Sequence, residues 1–87
     1  MKYKTLPGVI LTGICGKHYL VSPEATIQIN ETAAFCWKLL EDRAGEEDLC
    51  RAMQEQFEDA DQEQLRIDAA GLIQSLRARR LIVRCSA

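Results

Sequence analysis

The hydrophobic periodicity of this chain changes at Asn30, and that change constrains the fold more than any other feature. Before it, Thr26–Ile29 alternates polar and apolar residues, the period-2 pattern of a strand with one buried face. After it, apolar side chains recur with helical spacing at Ala33, Cys36, Trp37 and Leu40. Asparagine is a favourable N-cap residue, so the pattern predicts a strand that turns directly into a helix at Asn30.

Two more short strands are predicted upstream of this junction. Residues 8–14 and 17–21 are rich in β-branched and aliphatic side chains, with Gly13 and Gly16 around a tight connection between them. Together with Thr26–Ile29 these segments predict a three-stranded antiparallel meander. Such a small sheet is marginal by itself, so one of its faces needs a cover.

Two more helices are predicted downstream, from about residue 46 to 58 and from about 62 to 79. Gly45 is expected to take a positive φ where the first helix ends. Asp61 and Gln64 have the spacing of a capping box at the start of the third helix.

The largest apolar side chains suited to anchor the core are Trp37 and Phe57. Residues 81–83 are apolar and predict a last extended piece. The fold class is therefore α+β, with a three-stranded antiparallel sheet followed by three helices, in one domain over residues 1–87. This element order is compatible with a winged helix-turn-helix-like arrangement.

Charge and hydropathy narrow the classes of partner. The 87 residues carry a net charge of −2, which gives no general attraction to phosphate backbones or anionic membranes. No apolar run approaches the roughly 18 residues of a membrane span, and the short apolar segment 9–11 is too small for a signal-peptide core. We therefore expect a cytoplasmic protein whose four cysteines are free thiols.

Side chains for catalysis or metal binding are sparse. His18 is the single histidine, and a nucleophilic pair with Cys15 would lack an apparent orienting group. No two cysteines have the spacing of a zinc knuckle, so no metal site is expected. Without a nucleophile or acid–base group held near partners, no enzymatic activity is expected. Cys36 reads as a small buried hydrophobe, whereas Cys15 and Cys85 either meet across the sheet or are surface thiols.

Three functions remain open on these observations. Arginines on the third helix, at positions 66, 77, 79 and 80, allow a small winged-helix DNA-binding protein, although the acidic start of that helix would repel phosphates. Alternatively, the strand ending at Ile29 lies at a sheet edge and accepts a peptide strand, which would protect the Ile27 and Ile29 amides from exchange. The same edge could instead pair between chains, or be covered by the chain's own tail, residues 81–87.

The segment 27–40, IQINETAAFCWKLL, resembles the core signature of the PqqD-like family, the recognition elements for ribosomally made, modified peptides. The shared features are an aliphatic residue and Asn30, then Glu-Thr, small residues, and Trp37 before two leucines. Weaker similarity extends over about residues 7–83. The chain departs from the family pattern at Ile29 and Cys36, and at Arg80, where the family typically ends the third helix with glycine.

The resemblance implies a non-catalytic module without a cofactor, which captures the leader of a precursor peptide by strand addition and packs it against the third helix. It also implies a modifying enzyme as a partner, often a radical S-adenosylmethionine enzyme. A monomer or weak homodimer is expected. Carried onto this chain, the peptide-binding residues are Thr26, Ile27, Gln28 and Ile29 of the strand and Leu65, Asp68, Ala69 and Leu72 of the helix.

Overall fold

The strand-to-helix junction at Asn30 forms as predicted. The computed structural model describes residues 1–85, and in it strand β4 (Thr26–Ile29) leads through Asn30 into helix α1 (Glu31–Glu41). The Asn30 side-chain oxygen accepts a 2.7 Å hydrogen bond from the Ala33 N–H, which satisfies a first-turn donor. The junction therefore fixes how the last strand of the meander is joined to the helical layer.

The predicted meander is present as a sheet with the order β2-β3-β4. Strands β2 (Ile10–Ile14) and β3 (Lys17–Val21) are joined by a two-residue turn in which Cys15 has φ 52° and Gly16 has φ 78°. Positive φ at both positions is the geometry whose twist suits a tight hairpin. Leu11, Leu20 and Ile27 face one another across the three strands, and this row packs on the core.

A second sheet was not predicted, and the expectation of a single three-stranded sheet followed by helices is wrong in that respect. Its strands are β1 (Lys2–Thr5), β5 (Ala44–Gly45) and β6 (Ile82–Cys85), in the order β5-β1-β6. Strand β1 went unrecognised because three of its four residues are polar, which hides the alternation around the buried Tyr3. Strand β6 contains most of the extended piece predicted over residues 81–83.

Helices α2 (Glu46–Gln56) and α3 (Gln62–Ala78) pack on each other and close the core with α1. Trp37 is 1% exposed, whereas Phe57 is half-buried and meets the Phe35 ring edge-on at 5.8 Å. Trp37 is therefore the principal aromatic anchor, and Phe57 covers the core from its margin.

Two predicted caps are wrong in detail. Gly45 has φ −101°, and the positive φ after α1 belongs to Arg43 instead. Asp61 accepts a hydrogen bond from the Glu63 N–H, but the Gln64 amide bonds Asp68, so the reciprocal half of the predicted capping box does not form. Helix α1 nevertheless ends, and α3 begins, close to the predicted position, because the flanking hydrophobic patterns determine both boundaries.

Candidate functional site

Strand β4 lies at the edge of its sheet. It pairs antiparallel with β3 from His18↔Ile29 to Val21↔Thr26, and no strand within residues 1–85 pairs with its other side. The tail does not cover this edge, because residues 82–85 pair with β1; residues 86–87 lie outside the described part of the chain. An edge strand with unpaired backbone groups is a template for another extended chain.

The hydrogen-bond alternation identifies which backbone groups face outward. The Ser22 N–H bonds the Ala25 carbonyl at 2.9 Å, where the turn between β3 and β4 closes. In an antiparallel ladder the bonded pairs recur at every second residue, so Ile27 and Ile29 bond towards β3. The groups of Thr26 and Gln28 then point to the open edge, and these are the amides that an added strand would protect, rather than those of Ile27 and Ile29.

A groove lies beside the end of β4, between the first turn of α1 and the outer face of α3. From α1 and its cap it is lined by Asn30, Thr32 and Ala33, with Met53 of α2; from α3 it is lined by Ile67, Asp68, Gly71 and Leu72. Ile67 is 56% exposed, so the groove carries an aliphatic side chain that is accessible to a ligand. Apart from its chain neighbours and the backbone of its own helix, no atom lies within 4 Å of where a Cβ on Gly71 would stand, so the groove is open above this residue.

The four α3 residues predicted to bind peptide divide between two faces of the helix. Asp68 is exposed and Leu72 half-buried, and both line the groove. Leu65 and Ala69 are 5% and 0% exposed and belong to the core, so they support the groove from beneath and present no side chain to its surface. Ile67 and Gly71 are groove residues that the sequence reasoning missed; the available signal was an isoleucine outside the apolar stripe of α3.

A second cavity lies at the opposite end of β4. Its floor is apolar and comes from the β1–β2 connection, from Ile27 and from Leu81. Arg79 and Arg80 at the end of α3 and Glu24 on the β3–β4 turn also line this cavity. Helix α3 therefore runs antiparallel to β4, with its Asp68 end beside Asn30 and its arginine end beside Ile27.

The charged groups of α3 differ along its length. The Asp68 carboxylate accepts a 2.9 Å hydrogen bond from the Gln64 amide. Within residues 1–85, neither Arg79 nor Arg80 forms an ion pair. An extended peptide lying between β4 and α3 would consequently meet negative charge at one end and positive charge at the other.

The arginines that suggested DNA binding do not form one surface. Arg66 lines a hollow with Glu46 and Glu47, and Arg77 lies 5.5 Å from the centre of the Tyr3 ring. Only Arg79 and Arg80 share a location, at the end of α3. Duplex DNA is held by several cations arranged along its backbone, so this distribution does not favour that function.

The thiols give no sign of a shared site. Cys15 lies in the β2–β3 turn and Cys85 in the other sheet, so the suggestion that they meet across one sheet is wrong. Cys36 is fully buried, and burial raises the pKa of its thiol to about 11. Among the described residues there is no cluster of three or more metal-binding side chains, and no helix is long and apolar enough to cross a membrane.

Comparison with known proteins places this geometry among related folds. The family model described as coenzyme PQQ synthesis protein D (PqqD) matches residues 17–82. A chain of the structure of TbiB1 in complex with the TbiA(beta) leader peptide is 16% identical, with a TM-score of 0.77 over 97% of this chain and 99% of that chain.

A second solved structure is similar over most of its length. The PqqD truncation of Methylobacterium extorquens PqqCD was determined by solution NMR and is described as a functional, stand-alone recognition element for ribosomally synthesised and post-translationally modified peptides. It is 24% identical, with a TM-score of 0.79 over 95% of this chain and 89% of that chain. No curated protein matches the sequence.

Proposed function

The chain belongs to the PqqD family, and on that premise we propose that it captures the leader of a ribosomally synthesised precursor peptide and presents it to a separate modifying enzyme. The observation that carries the proposal is the open edge of β4 beside the groove of α3. Backbone hydrogen bonds at the edge would supply affinity, and the flanking cavities would supply specificity.

The described roles of the two similar proteins support this proposal. One of those proteins is in complex with a leader peptide, and the other is described as a recognition element. We propose that the present chain likewise acts without catalysis of its own. Holding the leader raises the effective concentration of the attached core peptide at the enzyme. A radical S-adenosylmethionine enzyme is the partner that the family resemblance favours.

Two structural details extend the proposal. We propose that β2–β4 with the three helices is a variant of the winged helix-turn-helix, in which α3 reads peptide instead of a DNA groove. We also propose a monomer or weak homodimer, because β2 leaves a second edge unpaired within residues 1–85, with Ile10 and Ile14 exposed on it.

Changing the edge backbone without changing the rest of the strand tests leader capture. Gln28→Pro removes one outward N–H, which an edge strand tolerates, whereas Gln28→Ala keeps that N–H and removes only the side chain. The probe is the short peptide encoded beside this protein, fluorescently labelled and titrated by anisotropy. We expect the proline variant to bind about tenfold or more weakly and the alanine variant to bind like the wild type.

Hydrogen exchange on the same complex supplies the control. The Thr26 and Gln28 amides should gain protection when the peptide binds, while Ile27 and Ile29 should be protected already in the free protein. Equal affinity of the two Gln28 variants, with unchanged exchange at Gln28, would place peptide binding elsewhere and contradict the proposal. Melting temperatures of both variants establish that they are folded.

A further inference from the structure

The cavity at the arginine end of β4 is formed by parts of the chain that are distant in sequence. Residues 6–9, the β3–β4 turn and the end of α3 converge there, and Ile27 of the edge strand forms part of the floor. A side chain projecting from a peptide on β4 would enter a hollow whose lining combines apolar residues with Arg79 and Arg80. Among the described residues that line the cavity, Glu24 is the one carboxylate, so the lining carries an excess of positive charge.

Arg80 has an unfavourable backbone conformation. Arg80 has φ 60°, the left-handed conformation that glycine adopts freely and arginine does not. The Arg80 N–H bonds the Arg77 carbonyl, and the Leu81 N–H bonds the Leu76 carbonyl at 2.9 Å. This pair of bonds is the Schellman arrangement, in which glycine is the usual residue at this place. Arginine therefore occupies this place at a conformational cost, and it is one of the residues that line the cavity.

The spacing of opposite charges along α3 sets a length for the ligand. Asp68 and Arg79 are eleven positions apart, about 16 Å of helix at ~1.5 Å per residue. An extended peptide covers that distance with about five residues. Because α3 and β4 run antiparallel to each other, such a peptide would follow the whole edge strand.

We propose that the recognised leader segment carries an acidic residue over Arg79 and Arg80, next to an apolar residue that enters the cavity beside Ile27. About five residues away, a basic residue lies over Asp68. This inference rests on the proposed function and adds the chemistry of the ligand to it. If the segment pairs antiparallel with β4, as the other strands of this sheet do, the acidic residue is on the C-terminal side of the basic one.

Selection from a random library of displayed 12-residue peptides tests this proposal even while the leader sequence is unidentified. The wild-type protein should enrich sequences with an Asp or Glu at a fixed offset from an apolar residue. The Arg79→Glu/Arg80→Glu variant should lose that enrichment and favour Lys or Arg at the same position. The best wild-type peptides should bind this variant roughly tenfold more weakly.

Two matched variants separate charge from backbone effects. Arg80→Lys keeps the positive charge and should retain the preference for acidic residues. Arg80→Gly removes the charge and the backbone strain, and it should weaken that preference. Asp68→Lys should change selection at the other end of the peptide only. Thermal unfolding of each variant confirms that it is folded.

The outcomes distinguish this inference from the proposed function. Peptides that protect the Gln28 amide yet show no acidic preference would overturn the charge assignment and leave leader capture standing. No selected peptide that protects the Gln28 amide would overturn both. Acidic enrichment that persists unchanged in the double glutamate variant would also overturn the inference.

Discussion

Arg80, at the C-terminal end of α3, is a residue that destabilises the fold. The Schellman arrangement at the end of α3 needs a left-handed residue at this position, where glycine meets no steric penalty. We expect Arg80→Gly to raise the free energy of unfolding by about 0.5–1 kcal/mol, measured by urea denaturation. Arg79 has φ −87°, so Arg79→Gly should instead destabilise the helix end, and the opposite order of the two variants would contradict this reasoning.

The buried thiol of Cys36 gives a pH dependence at the residue scale. Burial raises its pKa from 9.0 to about 11, so the unfolded chain loses this proton at lower pH than the folded one. The resulting stabilisation is complete below pH 9 and is lost as the pH rises from 9 towards 11, at no more than about 1.4 kcal/mol per pH unit.

The measurement compares wild-type protein with Cys36→Ala by urea unfolding between pH 8 and about 10.5, in the presence of a reductant. The two proteins differ only at position 36, so the difference between their stabilities isolates the contribution of the thiol. The wild type should lose stability more steeply than the variant above pH 9. If the free energy of unfolding falls equally with pH in both proteins, the Cys36 thiol does not contribute to the pH dependence.

At the scale of elements, the start of α2 at Gly45 depends on the close approach of the β1 backbone. The Asp48 carboxylate accepts hydrogen bonds from the Gly45 N–H at 2.7 Å and from the Lys2 ammonium at 3.0 Å, and both lower its pKa. A Cβ on Gly45 would stand 2.5 Å from the Met1 carbonyl oxygen. Glycine is therefore required here because β1 lies against it, and not because of a positive φ.

Alanine substitution at two glycines should have opposite effects. Gly45→Ala forces β1 away from the start of α2 and should cost about 1–3 kcal/mol of stability. Gly71→Ala meets open space within α3 and should add roughly 0.5–1 kcal/mol through helix propensity. Chemical denaturation of both variants checks these two changes in stability. Destabilisation by Gly71→Ala would show that a methyl group at this position meets neighbouring atoms, contrary to the open groove.

The elements that sequence could predict are those with a strong local pattern. The Asn30 junction, the meander and the three helices follow from periodicity and capping, which are local properties. Strand β1 and the two-residue strand β5 have no such pattern, because they exist through pairing with distant segments. The positive φ at Arg43 was assigned to Gly45 because glycine is the usual signal for that conformation.

At the scale of the whole molecule, the strand half of the candidate site was easier to anticipate than the helix half. The edge position of β4 depends on where the tail goes, and pairing of residues 82–85 with β1 settles that for the described chain. On α3, apolar residues at helical spacing serve both core and groove, so Leu65 and Ala69 could not be distinguished from Leu72 before packing was known. The second cavity was not anticipated, because its walls come from three separate segments.

The pairing of Lys2 with Cys85 brings the two ends of the described chain together on the sheet that does not contain β4. A polypeptide tether attached next to Lys2 or next to Cys85 would therefore start from the sheet that does not contain the edge strand. The same adjacency makes the topology suitable for circular permutation: a short linker could join the ends, and new ends could be opened at the exposed Cys15–Gly16 turn. Such a rearranged chain would keep β4, α3 and both cavities in their present relation.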